Sequence, residues 1–197
     1  LALPKEFGQN INNLKVDILR NLALTSDSGS QATPMLLQAK SILESQLYKD
    51  PNHLTLKYNL LRTYINLAEL DTDKTAAYRC YENANEIAAT YAIKDPDNIH
   101  VQVAQLLLAT RLGKRSIATK QMAKAQTYFM SGMEIATKLK KLDNTNIDWL
   151  GHTAELYSAY AEYYAKSNSP VMSSKSYKLA IDTAKQLASQ DKQNLHF

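Results

Sequence analysis

Apolar residues recur at spacings of three and four along nearly the whole chain, and the recurrence is interrupted at regular places. Ile11, Leu14, Ile18 and Leu22 predict a first helix over residues 5–24, with that stripe on its buried face. Thr25-Ser26-Asp27-Ser28-Gly29-Ser30 is loop by composition, and Thr33 followed by Pro34 suits the cap and first turn of a helix running to about Lys49. Further helices are expected over 53–70 and 74–94, split by Asp71-Thr72-Asp73, and over 99–112 and 116–142, with Gly113 ending the first. The last two span 147–166 and 170–190, where Ser169-Pro170 repeats the cap-plus-proline entry. No stretch alternates as a strand between hairpin turns, so the expected class is all-α: eight helices in four antiparallel pairs.

The interruptions resemble one another. Asp50-Pro51-Asn52, Asp95-Pro96-Asp97-Asn98, Asp143-Asn144-Thr145-Asn146 and Asp191-Lys192-Gln193-Asn194 place aspartates 45, 48 and 48 residues apart. Flanking positions recur too. Eleven residues before each aspartate stand Ala39, Ala84, Gly132 and Ala180; eight before stand Ile42, Ile87, Ile135 and Thr183; six after stand Leu56, Val101, Trp149 and Phe197. Columns that keep their size mark helix crossings, where close packing fixes the permitted volume. Proline pushes the preceding aspartate out of the α region and ends a helix there, and Asn52, Asn98, Asn146 and Asn194 suit the next N-cap. A fixed period of this length predicts a right-handed α-solenoid forming a single domain over 1–197. Its units are 5–50, 51–95, 96–143 and 144–191, with 192–197 opening a further or decayed unit, as in a module cut from a longer protein.

Charge and cysteine narrow the setting. The net charge is +4, yet Arg111, Lys114, Arg115, Lys120, Lys124, Lys138, Lys140 and Lys141 face only Glu134 within residues 111–141, which puts +7 there and −3 elsewhere. Such a block is either a solvated helix face or a footprint for an acidic partner. No apolar run approaches the length of a membrane span. The single Cys80 forms no internal disulfide and fits a reducing compartment, so a cytoplasmic location is expected.

No catalytic constellation emerges. His53, His100, His152 and His196 lack partners at metal-ligand spacing, the five glycines form no phosphate loop, and Asp71/Asp73 and Asp95/Asp97 fall in turns that capping explains. No enzyme, metal or cofactor is expected. Tyr157, Tyr160 and Tyr164 share a helix face with Tyr163 beside it, which core filling explains.

Trp149, Ala154, Tyr157 and Ala161 in one first helix, Leu56, Leu60, Leu61, Tyr64, Leu67 and Ala68 in another, and Leu112-Gly113 in a third resemble tetratricopeptide-type repeats in the long bacterial form. Tyr81, Tyr128 and Tyr177 supply the second helices, and the resemblance covers about residues 34–197. It implies a non-catalytic scaffold, a regulatory segment of a larger bacterial signalling protein that binds a peptide or partner domain in a concave groove. Polar residues between the packing columns of the first helices are the candidate contacts: Lys57, Arg62, Asn66, Gln102, Gln105, Arg111, His152 and Glu155. The alternative is binding of nucleic acid or another acidic partner through Arg111–Lys141.

Overall fold

A computed structural model describes residues 5–26 and 29–194, and the chain divides into two compact units, 1–94 and 95–197. The division falls at the second Asp-Pro turn, so each unit holds two helix pairs. In the first, α1 (Lys5–Leu24) packs on α2 (Gly29–Lys49), α2 on α3 (Leu54–Leu70) and α3 on α4 (Lys74–Lys94). In the second, α5 (Ile99–Ala118) pairs with α6 (Met122–Leu142), α7 (Ile147–Lys166) packs on both, and α8 (Pro170–Asn194) packs on α7. The described residues contain no strand. The fold is all-α, and within each unit neighbouring helices stack in sequence.

The repeated turns do the capping expected of them, with one shift. Asn98 Oδ1 accepts from Val101 N–H at 3.2 Å and Asn146 Oδ1 from Trp149 N–H at 3.2 Å. In the first such turn the cap is His53, whose Nδ1 accepts from Leu56 N–H, and not Asn52. His53 stands three residues after its aspartate, as Asn98 and Asn146 do; position in the turn, rather than residue type, selects the cap. Asp191-Lys192-Gln193-Asn194 is not a turn at all, because α8 continues to Asn194. No proline follows Asp191 to force it from the α region. Phe197 and His196, assigned above to a further unit, lie outside the described residues.

Two other boundaries differ from expectation. Helix α2 begins at Gly29, not after Thr33, because Ala32 is buried with Ala23, Leu36 and Leu67 and that contact holds the extra turn; Pro34 sits inside the helix. Helix α5 runs through Gly113 to Ala118. It ends instead in a Schellman motif: Lys120 adopts φ 59°, Gln121 N–H reaches the Ser116 carbonyl at 2.8 Å, and Lys120 N–H reaches that of Ile117. Asn168, at φ 54°, closes α7 the same way.

Gly113 owes its place to packing. A Cβ there would lie 2.5 Å from Cε1 of Phe129, whose fully buried ring crosses α5 at that point. Gly132 similarly accommodates Leu156 and Ala109. Phe129, Leu106, Leu139, Leu156 and Tyr163 form the core of the second unit, with Tyr160 and Tyr164 half-buried against it. The Phe129 ring centroid is 5.4 Å from that of Tyr160 and 6.0 Å from that of Tyr163, so the tyrosine cluster is chiefly core.

The first helix overturns the expected stripe. Leu14, Ile18 and Leu22 are 62%, 49% and 50% exposed, whereas Val16, Arg20 and Ala23 are buried; the side chain of Ile11 lies outside the described residues. α1 packs through the face that carries Val16, Arg20 and Ala23, and the larger aliphatics are left on the opposite one.

Candidate functional site

The candidate contacts divide between the units. On α3 of the first unit, Lys57 and Asn66 are half-buried and Arg62 is exposed, its guanidinium 5.6 Å from the centroid of Tyr58. Tyr58 in turn meets Tyr91 edge-on at 6.5 Å. One member of this region was missed: Arg20 of α1 is 3% exposed, its Nε buried without a partner. Burial, then the charge of Arg62, pushes its pKa down to about 10; Asp17, 3.9 Å away, acts the other way. Its position four residues after Val16 and three before Ala23 placed it on the packed face, a signal that the louder Leu14–Leu22 stripe obscured.

In the second unit, α5 and α7 bring three charged side chains together. Glu155 of α7 accepts from Lys114 Nζ at 2.9 Å and from Arg111 Nη1, both on α5. Burial alone would raise the Glu155 carboxyl, but those two cations together hold it below its ordinary range. Gln105 and His152 are half-buried on the same two helices. Gln102 is 9% exposed and its Nε2 donates to the Pro96 carbonyl at 2.8 Å, so it clips the Asp-Pro turn.

The basic residues do not form one surface. Arg111, Lys114 and Arg115 lie in the last turns of α5, Lys120 in the following turn and Lys124 at the start of α6. Lys138, Lys140 and Lys141 lie at the far end of α6, and the fourteen residues from Lys124 to Lys138 span about 21 Å of helix. Arg111 and Lys114 are partly neutralised by Glu155, and Lys124 stands 5.8 Å over the Tyr128 ring.

Among the described residues, no group of three or more His, Cys, Asp and Glu side chains could hold a metal ion, and no helix is long and apolar enough to cross a membrane. A recess between α6, α7 and α8, lined by Trp149, Thr153, Tyr157 and Gln186, measures about 20 Å³, room for one water. Cys80 is half-buried beside Leu36 and Leu67, and burial pushes its thiol up, away from the reactive thiolate.

No protein-family model matches the sequence, and no curated protein matches it. The chain is an all-α, repeat-like helical array.

Proposed function

We propose that this array is a non-catalytic protein-interaction module of tetratricopeptide-like kind, a cytoplasmic regulatory segment of a larger bacterial signalling protein, and that it holds a peptide or partner domain along its first helices. One observation supports the reading: across α5 and α7 the partly exposed side chains of Arg111, Lys114 and Glu155 are already held together. Glu155, braced by Arg111 and Lys114, orients that face before any ligand arrives, and Gln105 and His152 are half-buried polar side chains on the same two helices, within the reach of an extended chain laid along them. Preorganised side chains lose little freedom on binding, which favours affinity for a flexible partner. On the first unit, Lys57 and Arg62 offer charge in the corresponding helix.

The test is selection of binders from a displayed random-peptide library, with affinities read by fluorescence anisotropy. Gln105→Ala with His152→Ala, and separately Arg62→Glu, should weaken the selected peptides at least tenfold while far-UV circular dichroism stays unchanged, a loss of about 1.4 kcal/mol or more. Equal binding by all variants refutes the assignment. Reversal of Arg111 is a poor probe, because it would set two carboxylates against each other at the α5–α7 contact. Nucleic-acid binding draws less support, since the cations fall into two groups a helix length apart; a steep fall of oligonucleotide affinity with salt would favour it.

A further inference from the structure

The first unit buries a cation that its surroundings do little to neutralise. Arg20 of α1 is 3% exposed, and its Nε has no hydrogen-bond partner among the described residues. Asp17 stands 3.9 Å from the guanidinium, but that carboxylate is 56% exposed and screened by water. The other full charge that Arg20 feels has its own sign, Arg62 of α3. A buried charge without good partners costs stability, so its presence calls for a reason.

What surrounds Arg20 is a set of donors. Tyr58, Arg62 and Asn66 stand four residues apart on α3 and share one face. The Nδ2 group of Asn66 is buried and donates to nothing among the described residues, while the Arg62 guanidinium stands 5.6 Å from the Tyr58 ring centroid. Ala23, three residues on from Arg20, shares a buried cluster with Leu67, the chain neighbour of Asn66, so α1 meets α3 at this level.

The second unit shows what such a joint accepts. Leu56 and Trp149 occupy the same place after their aspartates, and six residues beyond them stand Arg62 and Glu155. In α7 that position gives a carboxylate to the cations of α5, whereas in α3 it sets a second cation against Arg20. The first unit has the positive half of the arrangement without the negative one. We propose that the α1–α3 joint receives the phosphate of a phosphorylated side chain in the bound peptide, with Arg62 and Asn66 donating to its oxygens and Arg20 supplying charge from the buried side. The inference rests on the reading that a peptide lies along the first helices. A phosphate suits the joint better than a carboxylate: it brings a charge of about −1.5 to −2 at pH 7 to two guanidiniums, and three acceptor oxygens to donors spread over two helices. Arginine to phosphate is also among the stronger charge-assisted pairings.

Three degenerate peptide pools, differing only in a fixed central serine, glutamate or phosphoserine, test this on the whole chain by fluorescence anisotropy. The phosphoserine pool should bind about tenfold tighter than the serine pool or better. Arg62→Gln, at an exposed position, and Arg20→Met, which only removes a buried charge, should each abolish most of that ratio with circular dichroism unchanged. Separately, inorganic phosphate added at constant ionic strength should move the Arg20 and Arg62 Nε–H resonances in NMR spectra, and should raise the Tm of wild type but not of Arg20→Met. Binding without preference among the pools overturns the phosphate site and leaves the peptide module standing. Equal binding of the glutamate and phosphoserine pools overturns it in favour of a carboxylate, and tighter binding of an oligonucleotide at the same two arginines overturns it in favour of nucleic acid. No binding by any pool, with both resonances still moved by phosphate, overturns the peptide reading and the phosphopeptide with it.

Discussion

Gly113→Ala sets two effects of known sign against each other. Glycine inside a helix costs roughly 1 kcal/mol relative to alanine, so the backbone alone favours the substitution. The new methyl would meet Phe129 at 2.5, 2.7 and 3.0 Å from three ring carbons, and that ring is fully buried, bounded by Tyr160 and Tyr163. With no room to slide, overpacking of this kind costs about 1–3 kcal/mol. The clash should win, leaving the variant destabilised by about 1 kcal/mol, or a few degrees in Tm for a unit of this size. Gly151→Ala is the control. It lies inside α7 with nothing within 4 Å of the added atom, so it should gain up to about 1 kcal/mol. Urea denaturation of both, and of Gly113→Ala in a Phe129→Leu background where the penalty should vanish, completes the comparison. Equal stabilisation by Gly113→Ala and Gly151→Ala would refute the ring contact as the reason for Gly113.

Glu155→Gln should cost about 1 kcal/mol, the value of a part-exposed ion pair. Because the folded carboxyl is held below its ordinary range, its contribution is complete above the unfolded value near ~4.3 and fades as pH falls through the lower folded one; urea midpoints of wild type and variant should converge there. Asn98→Ala and Asn146→Ala each remove a cap and should each cost about 1 kcal/mol by thermal denaturation. Lys120→Gly relieves a left-handed residue in the α5–α6 turn and should stabilise by about 1 kcal/mol in the same assay.

Helix existence and pairing were legible because the Asp-containing turns carry local chemistry, namely an acceptor three residues after Asp50, Asp95 and Asp143 and, after the first two, proline against the α region. What could not be seen locally was decided by neighbours. Gly113 has the composition of a helix end, yet the Phe129 ring from another helix makes it an interior position. Leu14, Ile18 and Leu22 form a proper apolar stripe, but periodicity does not say which of two faces a neighbour covers, and the covered one carries Val16, Arg20 and Ala23. The site was partly legible for the same reason. Polar positions on the first helices could be named, whereas the Glu155 bridge and the turn clip by Gln102 needed residues brought together by folding.

The central claim is that, within each unit, a second-helix side chain wedges between two first helices: Leu36 of α2 beside Ala23 of α1 and Leu67 of α3, and Phe129 of α6 between Gly113 of α5 and Tyr160 and Tyr163 of α7. Hydrogen-exchange mass spectrometry of Phe129→Ala tests it most directly. Removing that ring should cost about 3–5 kcal/mol, and the amides of α5, α6 and α7 should lose protection together. Faster exchange confined to the turns of α6 around residue 129, with α5 and α7 unchanged, would contradict it.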